Sequence, residues 1–222
     1  MSIYSLQKPD QLDFEVNGRI WYGYSQDWYQ DEWHRRAGCG PTTATYLAAY
    51  CLHRDGIWKD LHNTNAVLMQ MNRIWDYVTP RQGGLYKTRW LRDGLEMFFQ
   101  EAGMQNYHAR MLTVSVVPRF RPSSEEVLNF IKAGLDCDSP VAFLNRHRGN
   151  QETIDSWHWV PIVRLDTDQS PAIADVYDEG IKKILRRQNG RKKPCWAAAL
   201  CIYKKHNSTL SVQWHRWEEV LE

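Results

Sequence analysis

A cysteine between two glycines is the residue of this chain best suited to nucleophilic chemistry. The run Gly38-Cys39-Gly40-Pro41 precedes residues 42–52, which have the apolar spacing of a helix. The N-terminus of a helix favours the thiolate form of a cysteine, and a proline fits the first turn. The flanking glycines are expected to leave room for a substrate carbonyl beside the backbone. Because free cysteines are also common as buried packing residues, a nucleophilic Cys39 requires a histidine and an acid elsewhere in the chain.

One of the eight histidines lies at the start of an apolar strand. Residues 158–163 are apolar after His158, and a second predicted strand, 173–177, follows across a polar turn. Two strands joined in this way are expected to form an antiparallel hairpin. The hairpin places His158 at its open end, opposite Asp178 or Glu179. Most of the other histidines fall in predicted helices or loops, so His158 is the expected general base.

The acid that orients this histidine is expected at the end of the second strand. Asp178 is predicted to accept a hydrogen bond from the imidazole of His158 and to fix its tautomer. Asp175, expected near Pro161, is the second choice. The alternative interpretation is a surface hairpin with charged ends. Catalysis is favoured because the predicted hairpin places His158 opposite Asp178.

These three residues predict nucleophilic catalysis at a carbonyl group. His158 would deprotonate Cys39, the thiolate would attack the carbonyl carbon, and His158 would then protonate the leaving amine. Asp178 would hold the imidazole in place. The oxyanion requires hydrogen-bond donors, which the backbone N–H of Cys39 and an upstream side-chain amide could supply. Gln26 and Gln30 are the two candidates for that amide.

Helices are predicted in the N-terminal half of the chain and strands in the C-terminal half. Apolar spacing predicts helices over residues 42–53, 59–78, 88–102 and 123–134, the last opened by the capping-box pattern Ser123-Ser124-Glu125-Glu126. Short apolar or alternating runs predict strands at 141–144, 159–165, 173–177, 198–203 and 210–214. This segregation predicts an α+β fold, with a helical lobe (about 1–138) packed on an antiparallel sheet (about 139–222) in a single domain, 1–222.

Composition limits the class of protein and its partners. The 222 residues carry a net charge of +2, which favours neither nucleic acid nor an acidic partner. Five cysteines without a Cys-x-x-Cys pair argue against a disulfide framework and structural zinc, and fit a reducing compartment. Residues 1–15 lack the apolar region of a secretory signal, and no run is long enough to cross a membrane. We therefore expect a cytoplasmic protein without membrane association, metal or cofactor.

The motifs around Cys39 and His158 together resemble those of a known family. The sequence Gly-Cys-Gly-Pro-Thr opens a helix, a glutamine precedes it, and the later segments read His-Trp-Val-Pro-Ile and Val-Tyr-Asp-Glu-Gly. In these features, residues 22–180 resemble the C39-like branch of the papain-fold cysteine peptidases, most closely at Cys39 and His158. The resemblance implies a papain-like fold and a thiol hydrolase that acts on a peptide or amide substrate through a thioester.

The resemblance also implies roles for individual residues. It implies a catalytic triad of Cys39, His158 and Asp178, and a glutamine in the oxyanion hole. In the family that glutamine usually lies closer to the cysteine, at the position that Trp33 occupies here. Residues 22–28 are similar to the glutamine-bearing segment followed by a longer loop, which selects Gln26 for the oxyanion hole.

Three functions are compatible with such a triad. The first is a cysteine peptidase or amide hydrolase, the second an acyltransferase that passes the acyl group to an amine, and the third a non-catalytic peptide-binding module. Suitable residues at all three triad positions argue against the third. A basic run from Lys182 to Lys193, followed by Trp196, could bind phosphate or nucleic acid. Such runs are more often solvated, so we expect no nucleic-acid partner.

Overall fold

The computed structural model describes residues 2–59, 61–115, 117–146, 153–186 and 196–204. Within these ranges the helices are α1 (Glu32–Ala37), α2 (Cys39–Arg54), α3 (Thr64–Trp75), α4 (Thr88–Glu101) and α5 (Ser124–Asp136). The strands are β1 (Ile3–Ser5), β2 (Phe14–Val16), β3 (Arg19–Trp21), β4 (Tyr107–Thr113), β5 (Val141–Asn145), β6 (His158–Asp166), β7 (Ile173–Asp178), β8 (Ile181–Arg186) and β9 (Trp196–Lys204). Short 3-10 turns cover Gln26–Trp28 and Pro118–Phe120. The predicted α+β class is confirmed.

Seven strands form one antiparallel sheet. Strands β4, β9, β5, β6, β7 and β8 lie side by side in that order, and all their pairings are antiparallel. Strand β1 pairs with residues 164–166 of β6, beyond the part of β6 that pairs with β5. Strands β2 and β3 form a separate hairpin. The strands that carry His158 and Asp178 are therefore adjacent in the sheet.

Helix α2 is the buried centre of the helical half. Its residues from Gly40 to Leu52 are all buried, and it packs against β6. Small and apolar residues occupy every side of this helix, as is typical of a helix enclosed by protein. Because a close-packed core holds its elements firmly, the position of Cys39 relative to β6 is set by packing along the whole helix.

The helices follow the prediction, with two differences at their starts. Helix α2 begins at Cys39 rather than at residue 42, because the chain passes through Gly38 directly from α1, which was not predicted, into α2. Helix α3 begins at Thr64 rather than at residue 59, because the Asn63 side chain caps it by accepting backbone N–H bonds. The capping box predicted at Ser123 is present at the start of α5.

The strands of the C-terminal half also follow the prediction. Those predicted at 141–144, 159–165, 173–177 and 198–203 correspond to β5, β6, β7 and β9. The strand predicted at 210–214 lies outside the described residues. The sequence analysis does not predict strands β1 to β4 and β8. Strand β8 has the sequence Ile-Lys-Lys-Ile-Leu-Arg, and its basic residues are typical of a solvated run.

The register of the β6–β7 hairpin differs from the prediction. Asp175 pairs with Arg164, and the register shifts just before Arg164. The loop is centred about one residue later than expected, and backbone pairing stops at residue 162. The predicted pairing of His158 with Asp178 or Glu179 is therefore wrong, as is the expected place of Asp175 near residue 161. Periodicity does not encode such an irregularity.

Candidate active site

Cys39 is the first residue of α2, and its side chain is partly exposed at the end of this buried helix. The Thr42 N–H donates to the Gly38 carbonyl at 2.9 Å and closes the first turn. The Cys39 Sγ lies 4.0 Å from the carbonyl oxygen of Trp157, the residue before His158. The thiol thus lies at the N-terminus of a helix, the end that carries a partial positive charge.

The two glycines beside Cys39 are required by packing. A β-carbon on Gly38 would lie 2.3 Å from the carbonyl oxygen of His34, and one on Gly40 would lie 2.5 Å from the Leu85 side chain. Both distances are well below van der Waals contact. The space on the β-carbon side of each glycine is therefore filled by the protein itself, and packing at these two positions excludes any larger residue.

His158 connects the thiol to a buried carboxylate. It begins β6, and its ring Nε2 lies 2.7 Å from Asp178 Oδ1. Because a carboxylate only accepts, Nε2 carries the hydrogen, which leaves Nδ1 as the ring nitrogen available to Cys39 in the cleft that both residues line. Burial alone would lower the pKa of His158, but the hydrogen bonds and charges of Asp178 and Cys39 raise it to about 10. The imidazolium form is thus favoured at neutral pH, as a thiolate–imidazolium pair requires.

Two buried aspartates lie on β7, and Asp178 is the one that contacts His158. Burial opposes its ionisation, but His158 and Lys183 together hold the pKa of Asp178 below its ordinary value. The Lys183 ammonium donates to Asp178 Oδ2 at 2.7 Å. Asp175 instead forms an ion pair with Lys182 at 2.9 Å. Side chains alternate between the faces of a strand, so residues three positions apart point to opposite faces.

Gln26 is the upstream amide that lies beside the thiol. It begins the 3-10 turn Gln26–Trp28 and lines the same cleft as Cys39. Its Nε2 donates to the Arg35 carbonyl at 2.8 Å, which uses one of its two amide hydrogens. Gln30 is exposed and Trp33 is 43% exposed on α1, and the lining of the cleft includes neither side chain. The structure therefore brings Gln26, and not Gln30, to Cys39.

The cleft beside Cys39 is narrow. About 20 Å³ of it is open to the centre of a water molecule, which is room for one or two waters. Tyr24 and Tyr46 also line it, and their buried hydroxyls have no hydrogen-bond partner among the described residues. Water or a ligand normally satisfies polar groups of this kind. The two tyrosine hydroxyls are therefore available to a water molecule or a ligand in the cleft.

One set of donor atoms in the site has the composition of a metal site. Atoms of His158, Asp178 and Glu179 lie within 4.8 Å of one another. These groups already bond within the protein: His158 with Asp178, Asp178 with Lys183, and Glu179 with the Ser25 hydroxyl. A cation would have to break these bonds and lie beside the Lys183 ammonium. The residues therefore fit a hydrogen-bonded catalytic group better than a metal.

Three residues of the site were not predicted. Lys183 was assigned to a basic run, and Ser25 and Glu179 were given no role. The alternation of β8 could have revealed Lys183, because in an antiparallel hairpin it shares a face with Asp178. No sequence signal links Ser25 to Glu179, since they are 154 residues apart. The members of the basic run at 187–193 lie outside the described residues.

Comparisons with protein-family models, curated proteins and solved structures gave no match. In the described part of the chain, no helix has the length and apolar character needed to cross a membrane. Function is therefore inferred from the residues of the site and their geometry.

Proposed function

We propose that this protein is a thiol hydrolase with a papain-like fold that cleaves a peptide or amide bond. The His158–Asp178 hydrogen bond, in the cleft that Cys39 also lines, carries this proposal. The fold assignment is supported by a buried helix that bears the thiol at its N-terminus and packs on an antiparallel sheet, whose adjacent strands bear the imidazole and the acid. Cys51 and Cys137 are free thiols like Cys39, which fits a cytoplasmic location.

The first half of the reaction forms a thioester. In the thiolate–imidazolium pair His158 Nδ1 already holds the thiol proton, and the Cys39 thiolate attacks the substrate carbonyl carbon. The oxyanion that forms is stabilised by the Cys39 backbone N–H and the Gln26 amide. The tetrahedral intermediate then collapses, the C–N bond breaks, and His158 gives its proton to the departing amine. Asp178 holds the ring throughout and stabilises its positive charge.

The second half of the reaction releases the acyl group. A water molecule loses a proton to His158 and attacks the thioester carbonyl, which yields a carboxylic acid and regenerates the Cys39 thiol. An amine that attacks in place of water would yield an amide, and the same residues would then perform acyl transfer. We propose hydrolysis rather than acyl transfer, because a water molecule needs no binding surface of its own, whereas an amine acceptor does.

The reactivity of Cys39 is tested by labelling with limiting iodoacetamide at neutral pH, read by peptide mass spectrometry. Cys39 should label faster than Cys51 and Cys137. Burial raises the pKa of Cys51 to about 12, and partial burial with the nearby Asp136 carboxylate raises the pKa of Cys137. Both are therefore slow internal references. Equal labelling of all three thiols contradicts the proposal.

The substrate class is tested with a mixed library of peptides and amides, incubated with the wild type and with Cys39→Ala. A hydrolase gives Cys39-dependent products that end in a free carboxylate. Parallel incubations contain hydroxylamine as an amine acceptor. Products that form only with the acceptor identify an acyltransferase. If unlabelled protein leaves the library intact under both conditions, although its Cys39 is rapidly alkylated in a separate sample, the protein is a binding module.

A further inference from the structure

The turn that follows Asp178 contains an unexpected residue. Strands β7 and β8 are joined by Glu179 and Gly180 alone, with φ angles of 51° and 71°. Two positive φ angles in a two-residue turn match type I′, which favours Asn-Gly or Asp-Gly. A glutamate is a poor choice for a left-handed position, because its β-carbon crowds the backbone there. The geometry of the turn alone does not account for Glu179.

The carboxylate of Glu179 reaches the N-terminal segment. It accepts a hydrogen bond from the Ser25 hydroxyl, and Ser25 is 1% exposed. The same Ser25 oxygen accepts from the Asp27 N–H at 3.1 Å and so caps the turn Gln26–Trp28. Glu179 thus contacts, through Ser25, the turn that presents the Gln26 amide to the cleft.

Gly180, the second residue of the β7–β8 turn, packs against the segment that contains Trp21 and Tyr22. Its carbonyl accepts a hydrogen bond from the Tyr22 N–H at 3.1 Å. A β-carbon on Gly180 would lie 1.8 Å from the Trp21 ring, so the ring packs directly on the backbone. The end of the β7–β8 hairpin is therefore fixed against the chain just before Ser25.

We propose that Glu179 is a positioning residue that holds the Gln26 amide at the oxyanion through Ser25. Asp178 and Glu179 are consecutive, and they would serve different parts of the site: Asp178 orients His158, and Glu179 orients the amide. This inference rests on the proposed function, because the amide stabilises an oxyanion only if a carbonyl is attacked at Cys39.

Two reactions of Cys39 distinguish the role of the Gln26 amide from the role of the triad. Alkylation by iodoacetamide requires the thiolate and forms no oxyanion, whereas acylation by p-nitrophenyl acetate passes through a tetrahedral oxyanion. Both rates are measured for the wild type, Glu179→Asn, Glu179→Gln and Ser25→Ala. The Cys39→Ala variant gives the background reaction of other groups, which is subtracted. Thermal unfolding reports the stability of each variant.

The asparagine variant separates a positioning role from a structural one. Asparagine suits a type I′ turn but is too short to reach Ser25, so Glu179→Asn should keep or raise the unfolding temperature. It should keep the wild-type alkylation rate and lose about 10- to 100-fold in acylation rate, because small displacements of catalytic groups have effects of this size. Ser25→Ala should show the same loss. Glu179→Gln keeps an acceptor for Ser25 and should retain most of the acylation rate.

Other outcomes overturn the inference in distinguishable ways. Wild-type acylation in Glu179→Asn, or equal losses of acylation and alkylation, shows that Glu179 does not act on the amide. If Glu179→Asn does not fold, wild-type acylation in Ser25→Ala leads to the same conclusion. A wild-type Cys39 that is alkylated no faster than Cys51 refutes the proposed function itself, and with it this role.

Discussion

The Asp178→Asn variant removes one charge from the site and leaves a side chain of the same shape. Asparagine retains an oxygen that accepts from His158 Nε2, so the ring keeps a partner but loses the charge that stabilises its protonated form. The Lys183 side chain is 28% exposed and can turn toward water, so the variant leaves no cation buried. Asp175→Asn is the matched control, because Asp175 is also buried on β7 and paired with a lysine, but contacts Lys182.

The size of the effect follows from the burial of the pair. Asp178 Oδ1 and His158 Nε2 are 2.7 Å apart, and the two side chains are 6% and 15% exposed. Two unit charges 4 Å apart attract by about 4 kcal/mol in surroundings of this kind, and a hydrogen bond to a charged group contributes about 1.5–3 kcal/mol net. A loss of about 3 kcal/mol corresponds to about a 100-fold smaller equilibrium constant for proton transfer from Cys39 to His158.

The assay is the alkylation rate of Cys39 by iodoacetamide at neutral pH. Asp178→Asn should slow it about 10- to 100-fold, and Asp175→Asn should leave it unchanged. Urea unfolding of both variants reports how much stability each loses. If Asp175→Asn slows the reaction as much as Asp178→Asn, the effect reflects general loosening of β7. If neither variant slows it, Asp178 does not act on the thiol.

The remaining predictions concern the lysines, the turn and pH. Lys183→Met should raise the pKa of the triad acid and move the acid limb of Cys39 alkylation to higher pH, whereas Lys182→Met, whose partner is the other aspartate of β7, should not. Gly180→Ala and Gly103→Ala change glycines with the same φ of 71°, but only Gly180 has a neighbour within 4 Å. Gly103→Ala should lower the free energy of unfolding by about 1–2 kcal/mol, and Gly180→Ala by more, as measured in urea. The folded-state pKa of His158 is raised from 6.5 to about 10, so its contribution to stability is complete below pH 6.5 and is lost as pH rises toward 10. The fall in unfolding free energy over this range should be smaller in His158→Gln; an equal fall would show that other groups cause it.

The sequence predicts those features that depend on local pattern. Cys39, His158 and Asp178 lie at the ends of elements whose apolar periodicity is clear, so both the elements and the residues at their ends can be recognised. The register of the β6–β7 hairpin is not predictable in this way, because it depends on an irregularity just before Arg164. The side chains of His158 and Asp178 meet even so, because side chains at the end of a hairpin can make diagonal contacts.

Contacts between distant segments could not be predicted from one sequence. Ser25 and Glu179 are neighbours because the segment that contains Tyr22 and Ser25 packs on the end of the β7–β8 hairpin. Lys183 is a different case, because the alternation of β8 places it on the same face of the hairpin as Asp178. Its role could therefore have been predicted once β8 was recognised as a strand, whereas no pattern in the sequence links Ser25 to Glu179.

The structure supports the two halves of the site by different parts of the fold. The thiol, imidazole and carboxylate belong to α2, β6 and β7, whereas the Gln26 amide belongs to the short 3-10 turn before α1. The turn at Glu179 and Gly180 joins these halves through the contacts of Ser25 and Tyr22. Damage to the turn should therefore slow the acylation of Cys39 before it affects thiolate formation. Rapid alkylation of Cys39 is then necessary for an active enzyme but not sufficient, because the reaction also requires the amide to be held in place.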